Sequence, residues 1–101
     1  MPRPRKPRRC RVFDGDSVFK PRSIPMTNLE RVDLQLSELE AMRLCDLDGL
    51  DQEAAGRRMG VSRGTVQRLL ARGRAAVLDA LVANKALVIR KGDEDAHLHT
   101  R

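Results

Sequence analysis

The sequence predicts a mainly α-helical fold: a three-helix core containing a helix-turn-helix, a long C-terminal helix, short β segments that leave a wing open, and an extended basic N-terminal arm. Three observations predict it. Apolar residues recur at helical spacing from Leu39 to Leu81. Within QEAAGRRMGVSRGTVQRLL a small residue, a glycine and a β-branched residue fall at Gly56, Gly60 and Val66, the spacing two helices need to cross over a three-residue turn. The net charge of +6 sits entirely in residues 1–11, since the other ninety residues balance at 14 bases and 14 acids.

The arm, residues 1–11, carries Arg3, Arg5, Lys6, Arg8, Arg9 and Arg11 and no acid. Pro2, Pro4 and Pro7 forbid helix and hold it extended. A cationic segment of that shape suits phosphates or a narrow minor groove, as in homeodomain arms, while the bland alternative is a solvated tail. The arm lacks the apolar stretch of a signal peptide, and no window approaches the roughly 18 apolar residues of a membrane span. A soluble, cytoplasmic protein is expected, with Cys10 and Cys45 as free thiols. A chain of 101 residues is one small domain that buries about 60–70% of its unfolded surface, which leaves little core for a deep active site. The expected organisation is the arm, a DNA-binding domain over 12–92 with its helix-turn-helix at about 51–70, and a disordered tail over 93–101.

Taken in order, RCRVFDGDSVFKP sets Cys10, Val12 and Val18 around an Asp-Gly-Asp turn signal, a weak strand or hairpin pattern. Phe13 and Phe19, the only aromatics, are expected to pack where this segment meets the helices. Stacking of bases is therefore poorly supplied, which argues against a single-strand binder. Pro21 and Pro25 interrupt regular structure; Val32, Leu34 and Leu36 then alternate with Asp33 and Gln35 as a half-buried strand. Ser37 and Glu40 read as a capping box opening a helix that carries Leu39, Met42, Leu44, Cys45 and Leu47 and ends at Gly49. Asp51 is the N-cap of a second helix, QEAAGRRM, which Gly60 closes in the left-handed conformation; Val61 points inward and Ser62 caps the third helix.

Ala55 and Gly56 admit the crossing helix, and Val66 fills the gap with Met59, Val61, Leu69 and Leu70. That leaves Arg63, Gly64, Thr65, Gln67 and Arg68 on the outer face. Arg63, Thr65, Gln67 and Arg68 are the expected base-contacting residues of a major-groove reader: arginine pairs bidentately with guanine, glutamine with adenine, and threonine offers a hydroxyl or its methyl. Expected phosphate contacts are Ser62 at the positive end of the helix, Arg57, Arg58, Arg72 and Arg74, and Arg3, Arg5, Lys6, Arg8 and Arg9 of the arm. Residues 54–78 hold six arginines and no acid, whereas 30–53 hold eight acids and two bases. Such separation turns an acidic first helix away from DNA and basic helices towards it.

The opening MPRPRK, the connection FKPRSIP, the run LSELEAMRLCDLDGL and the stretch QEAAGRRMGVSRGTVQRLL together resemble uncharacterised protein family zero-two-five-one, also described as domain of unknown function one-three-four, over roughly residues 1–92. The helical part is also similar to region four of sigma factors, which reads a promoter element through a helix-turn-helix. The resemblance implies a DNA-binding protein of bacteria or archaea without an established target. Gly56 and Gly73 depart from the pattern, alanine being usual at both, each at about 1 kcal/mol of helix propensity.

Beyond the recognition segment, Leu69, Leu70, Ala76, Val77, Ala80 and Leu81 continue the apolar stripe to about Asn84. It could cover Leu34 and Leu39 of its own chain or pair with the same stripe in a homodimer. KALVIRKG is a short strand that could pair with RCRVF or ERVDL, or form a wing. His97 and His99 lie in the tail without the four ligands of a structural zinc site, so no metal or other cofactor is expected. Ser17, Ser23, Ser37 and Ser62 sit at turns or caps and no phosphate-cradling glycine loop exists, so the expectation is not an enzyme. Sequence-specific binding of double-stranded DNA leads, with no membrane partner; a protein-interaction module on the same helices and an RNA binder led by the arm are the alternatives.

Overall fold

Leu34 is buried between exposed Asp33 and Gln35, with Val32 half-buried: the alternation of a strand with one face on a core. A computed structural model describes residues 17–90. The arm, the RCRVF run with Cys10 and Phe13, and the tail with both histidines lie outside the described residues. The elements are β1 (Ser17–Phe19), a 3-10 turn (Met26–Asn28), β2 (Arg31–Gln35), α1 (Leu36–Met42), a π turn (Arg43–Leu47), α2 (Gln52–Met59), α3 (Arg63–Val82) and β3 (Ala86–Arg90). The chain is mainly helical, with a small three-stranded sheet ordered β1-β3-β2.

β3 is the central strand. It runs parallel to β2, in register from Arg31 opposite Ala86 to Gln35 opposite Arg90, and antiparallel to β1, with Val18 opposite Val88. Of the pairings open to KALVIRKG, the one with ERVDL is present. A parallel neighbour requires a crossover, and here the three helices supply it. Ala86 N–H donates to Glu30 O at 2.9 Å, fixing the start of the ladder.

β2 passes into α1 with no linker, which moves the helix start from its expected place. Gln35, not Ser37, is the N-cap, and its N–H donates to Glu38 Oε1 at 3.0 Å. Ser37 is a buried residue of the first turn, and the expected Ser37–Glu40 box does not form. The physical reason is the sheet: β3 holds β2 extended through Gln35, and the chain can turn helical only beyond that rung. Glu40 bonds Arg43 instead, through Oε2 at 2.7 Å and Oε1 at 3.1 Å, and Arg43 also reaches Asp48 Oδ2 at 2.9 Å. This clamp spans the π turn, whose wider loop is closed by Asp48 N–H on Arg43 O at 2.9 Å. Gly49 follows at φ +79°.

The core is built where α1, α2 and α3 meet. Ala41, Leu44, Ala55, Val66, Leu69 and Leu70 form one buried cluster, with Met42, Cys45, Leu50, Met59 and Val61 packed on its edge. Leu34, Ala80, Ala86, Val88 and Ile89 carry burial on to the sheet. Phe19 departs from expectation. It stands 62% exposed on β1, because its strand is a sheet edge paired with β3 alone, and it only lines a groove beside Val77 and Leu81 of α3. α3 ends with Asn84 at φ +56° and Lys85 N–H donating back to Ala80 O at 2.9 Å. Among the described residues no helix is long and apolar enough to cross a membrane.

Candidate nucleic-acid interface

The surface of interest is made by the junction of α2 and α3. Asp51 caps α2 by accepting from Ala54 N–H at 2.8 Å, and Gly60 closes it at φ +76°, a conformation that a side chain would strain. Val61 N–H then donates to Gly56 O at 2.9 Å. Three residues, Gly60 to Ser62, separate the helices, and α3 starts under a Ser62 cap. A Cβ on Gly56 would stand 2.6 Å from Val61 O, so this position is where the turn lies directly on α2. Val66 is fully buried against that crossing.

With Val66, Leu69 and Leu70 inward, Arg63, Gly64, Gln67 and Arg68 are exposed, and Thr65 is half-buried. Thr65 sits in a short polar chain. Ser62 Oγ accepts from Thr65 N–H at 3.1 Å and donates to Thr65 Oγ1 at 3.0 Å, and Arg68 Nη2 donates to the same Thr65 Oγ1 at 3.1 Å. Thr65 Oγ1 thus receives two hydrogen bonds and retains its own proton to give. The Arg68 guanidinium is held by one of its five donors, leaving the rest for an acceptor outside. Gly64 is exposed beside them, and a Cβ there would meet Arg68 Nη1 at an ordinary contact distance of 3.7 Å. Gln67 enters no hydrogen bond among the described residues.

Apart from Arg68, the arginines of residues 57–74 divide into two groups. Arg57 and Arg58, at the C-terminal end of α2, and Arg63, at the start of α3, are exposed and have no ion-pair partner among the described residues. Arg57 and Arg58 also complement the negative end of the α2 dipole. Arg72 and Arg74 turn instead towards the acidic helix. Arg74 makes a two-pronged bond to Asp46, at 2.7 and 3.2 Å, and Arg72 Nε lies 3.5 Å from the buried Glu38. Arg74 holds the Asp46 carboxyl below its ordinary range, chiefly through that hydrogen bond. Arg43 does the same to Glu40. Burial is the main cause that raises the Cys45 thiol, which is free.

Of the residues singled out in the sequence, Ser62, Arg63, Thr65, Gln67 and Arg68 are therefore brought together, and Arg57 and Arg58 are exposed on α2 without an ion pair among the described residues. Arg72 and Arg74 are engaged elsewhere. No sequence motif announced this: it follows from α1 crossing α3 so that the π turn reaches Arg74. Arg3, Arg5, Lys6, Arg8 and Arg9 lie outside the described residues.

The family described as "Protein of unknown function DUF134" matches residues 1–97. Curated relatives named UPF0251 protein are similar over most of the chain. One from Desulforudis audaxviator is 46% identical over 92% of this chain and 61% of its own length. One from Aeromonas salmonicida is 43% identical over 94% and 93%, and one from Dehalococcoides mccartyi 47% over 91% and 79%. The chain thus spans about three fifths of the Desulforudis audaxviator relative. No solved structure matches.

Proposed function

This chain belongs to the DUF134 family of proteins of unknown function, and we propose that it binds double-stranded DNA sequence-specifically, as a transcriptional regulator that uses α2, the Gly60–Ser62 turn and α3 as a helix-turn-helix. One observation carries this reading: the first turns of α3 offer Arg63, Gln67 and Arg68 to solvent with Thr65 half-buried beside them, in a stretch, residues 54–78, that holds no acid, while the apolar residues of the junction pack on the core. An α-helix fits the major groove, and these are the side chains that distinguish base pairs there. Arg68 and Gln67 are the direct readers, to guanine and adenine; Arg63 flanks them. Thr65 gives its proton to a phosphate or a base acceptor, steadied by Ser62.

Arg57 and Arg58 supply phosphate contacts beside the groove, together with the N-terminal arm, through Arg3, Arg5, Lys6, Arg8 and Arg9. Arg72 and Arg74 join only by exchanging an internal carboxylate for a phosphate, so their share is smaller. The likeness to sigma factor region four supports the same docking mode. A wing would have to come from β1 or β2, the edge strands of the described sheet, since β3 is enclosed between them.

The test is selection of bound sequences from a random duplex pool at fixed salt, followed by Arg68→Ala and Gln67→Ala on the selected site. Each substitution is expected to weaken cognate binding by about 1–3 kcal/mol and to relax choice at one base pair. Equal losses on cognate and random duplex would refute base reading, and tight binding without any selected sequence would favour the protein-docking or RNA alternatives.

A further inference from the structure

The C-terminal half of α3 shows a face that none of the described residues covers. Leu78, Leu81 and Val82 are 58%, 69% and 80% exposed, and Ala75 lies one turn before them, also exposed. The face continues into a groove of about 220 Å³ between α3 and β1, where Leu81 meets Phe19, Val77 and Leu87. We propose that this face is where two copies of the chain associate, α3 against α3 about a two-fold axis through the Leu78–Val82 turn.

Area and charge both favour a second copy as the occupant. Ala75, Leu78, Leu81, Val82 and Phe19 together expose on the order of 500 Å² of apolar surface, within the range of the largest and often functional patch on a small protein, about 300–600 Å². Doubled by a two-fold axis, that comes to about 1,000 Å², the lower bound of a specific interface. The charges at the rim are satisfied within the chain: Asp79 by Lys85 at 3.1 Å, and Arg74 by Asp46 at 2.7 Å. Asp79 is also the chief cause that raises the Lys85 ammonium. A charged partner would have to break these pairs, whereas an identical apolar face need not. Ala75 lets the helix backbones approach closely.

The proposal builds on the DNA-binding reading in one respect, the spacing of the two readers. The centres of Arg63–Arg68 and Leu78–Val82 are about 14.5 residues, or about 22 Å, apart along α3. A two-fold axis through the second therefore sets the two reading segments no more than about 45 Å apart, even with the helices antiparallel. Half-sites one helical turn apart, about 34–36 Å, are within reach, while two turns are not.

Sedimentation equilibrium of the full chain from about 1 to 200 µM tests the association, with a Leu78→Glu/Leu81→Glu double variant beside it. Both positions face solvent, so the variant should keep the wild-type thermal melt. The wild type should dimerise in the micromolar range and the variant at least tenfold more weakly. On duplexes with two selected half-sites one turn apart, the variant should bind each half-site as the wild type does but lose the preference for the pair. A wild type that stays monomeric to about 200 µM, or a double variant that dimerises as tightly, overturns the proposal. Dimerisation with no duplex bound supports this face and refutes the DNA reading; half-site binding by a strict monomer does the reverse.

Discussion

Alanine at Gly56 should destabilise the fold and alanine at Gly73 should not, although both replace a buried glycine inside a helix. Helix propensity favours the alanine by about 1 kcal/mol at each site. The difference lies in what the new methyl meets. At Gly56 it would stand 2.6 Å from Val61 O, against about 3.4 Å for an ordinary contact, so the turn must move by about 0.8 Å. Val61 O is backbone in a three-residue connection pinned by the Val61 N–H to Gly56 O bond and the Ser62 cap. It cannot move without lifting α3 from α2. Overpacking of that kind costs about 1–3 kcal/mol, which leaves Gly56→Ala less stable by about 1 kcal/mol, a fall of about 4–8 °C in Tm for a domain of this size.

At Gly73 the methyl would meet Met42 Sδ at 2.6 Å and Met42 Cγ and Glu38 Cβ at 3.3 Å. The thioether is the far end of a side chain with three rotatable bonds and can swing aside, so the cost should fall below the propensity gain. Gly73→Ala is expected to be neutral or more stable by up to about 1 kcal/mol. Urea and thermal unfolding followed by circular dichroism read both. Gly56→Ala equal to or more stable than Gly73→Ala would refute the idea that the turn lies rigidly on α2.

Asp46→Asn should destabilise the fold at neutral pH by less than a core substitution, as befits a half-exposed pair. The Asp46 carboxyl is lowered from its ordinary value of 3.8 in the folded chain, so its contribution is present above that value and lost as pH falls through the folded one; thermal melts of variant and wild type should draw together as pH falls below 3.8. Deleting residues 1–9 removes Arg3, Arg5, Lys6, Arg8 and Arg9 and should weaken binding to every duplex, flattening log K against log salt by up to about 4–5. An unchanged slope would mean that the arm makes no phosphate contact.

The junction from Asp51 to Val66 was legible in the sequence because its signals are local. A cap needs its partner three residues away, a left-handed turn needs glycine at one position, and a crossing helix needs a small residue where it passes. α2 accordingly runs Gln52–Met59 as the caps imply, and Val66 is buried as its spacing requires. The start of α1 was misplaced by two residues for the opposite reason. Ser37 has a suitable side chain, but the rung between Gln35 and Arg90, 55 positions apart, decides where extension ends.

The sequence by itself determined the mainly helical character, the two caps and turn of the α2–α3 junction, and which side of early α3 is polar, since each depends on residues within one or two helical turns. Only the tertiary structure decided that β3 lies between β1 and β2, and that Arg72 and Arg74 face carboxylates of the first helix and its π turn. It also chose between the apolar stripes of α3. Leu69, Leu70 and Ala80 are used by the core and Ala76 and Val77 are half-buried, while Ala75, Leu78 and Val82, at the same helical spacing, are left outside with Leu81. Periodicity gives a helix more than one apolar side, and the position of the neighbours packed against it, set by distant parts of the chain, determines which side is covered.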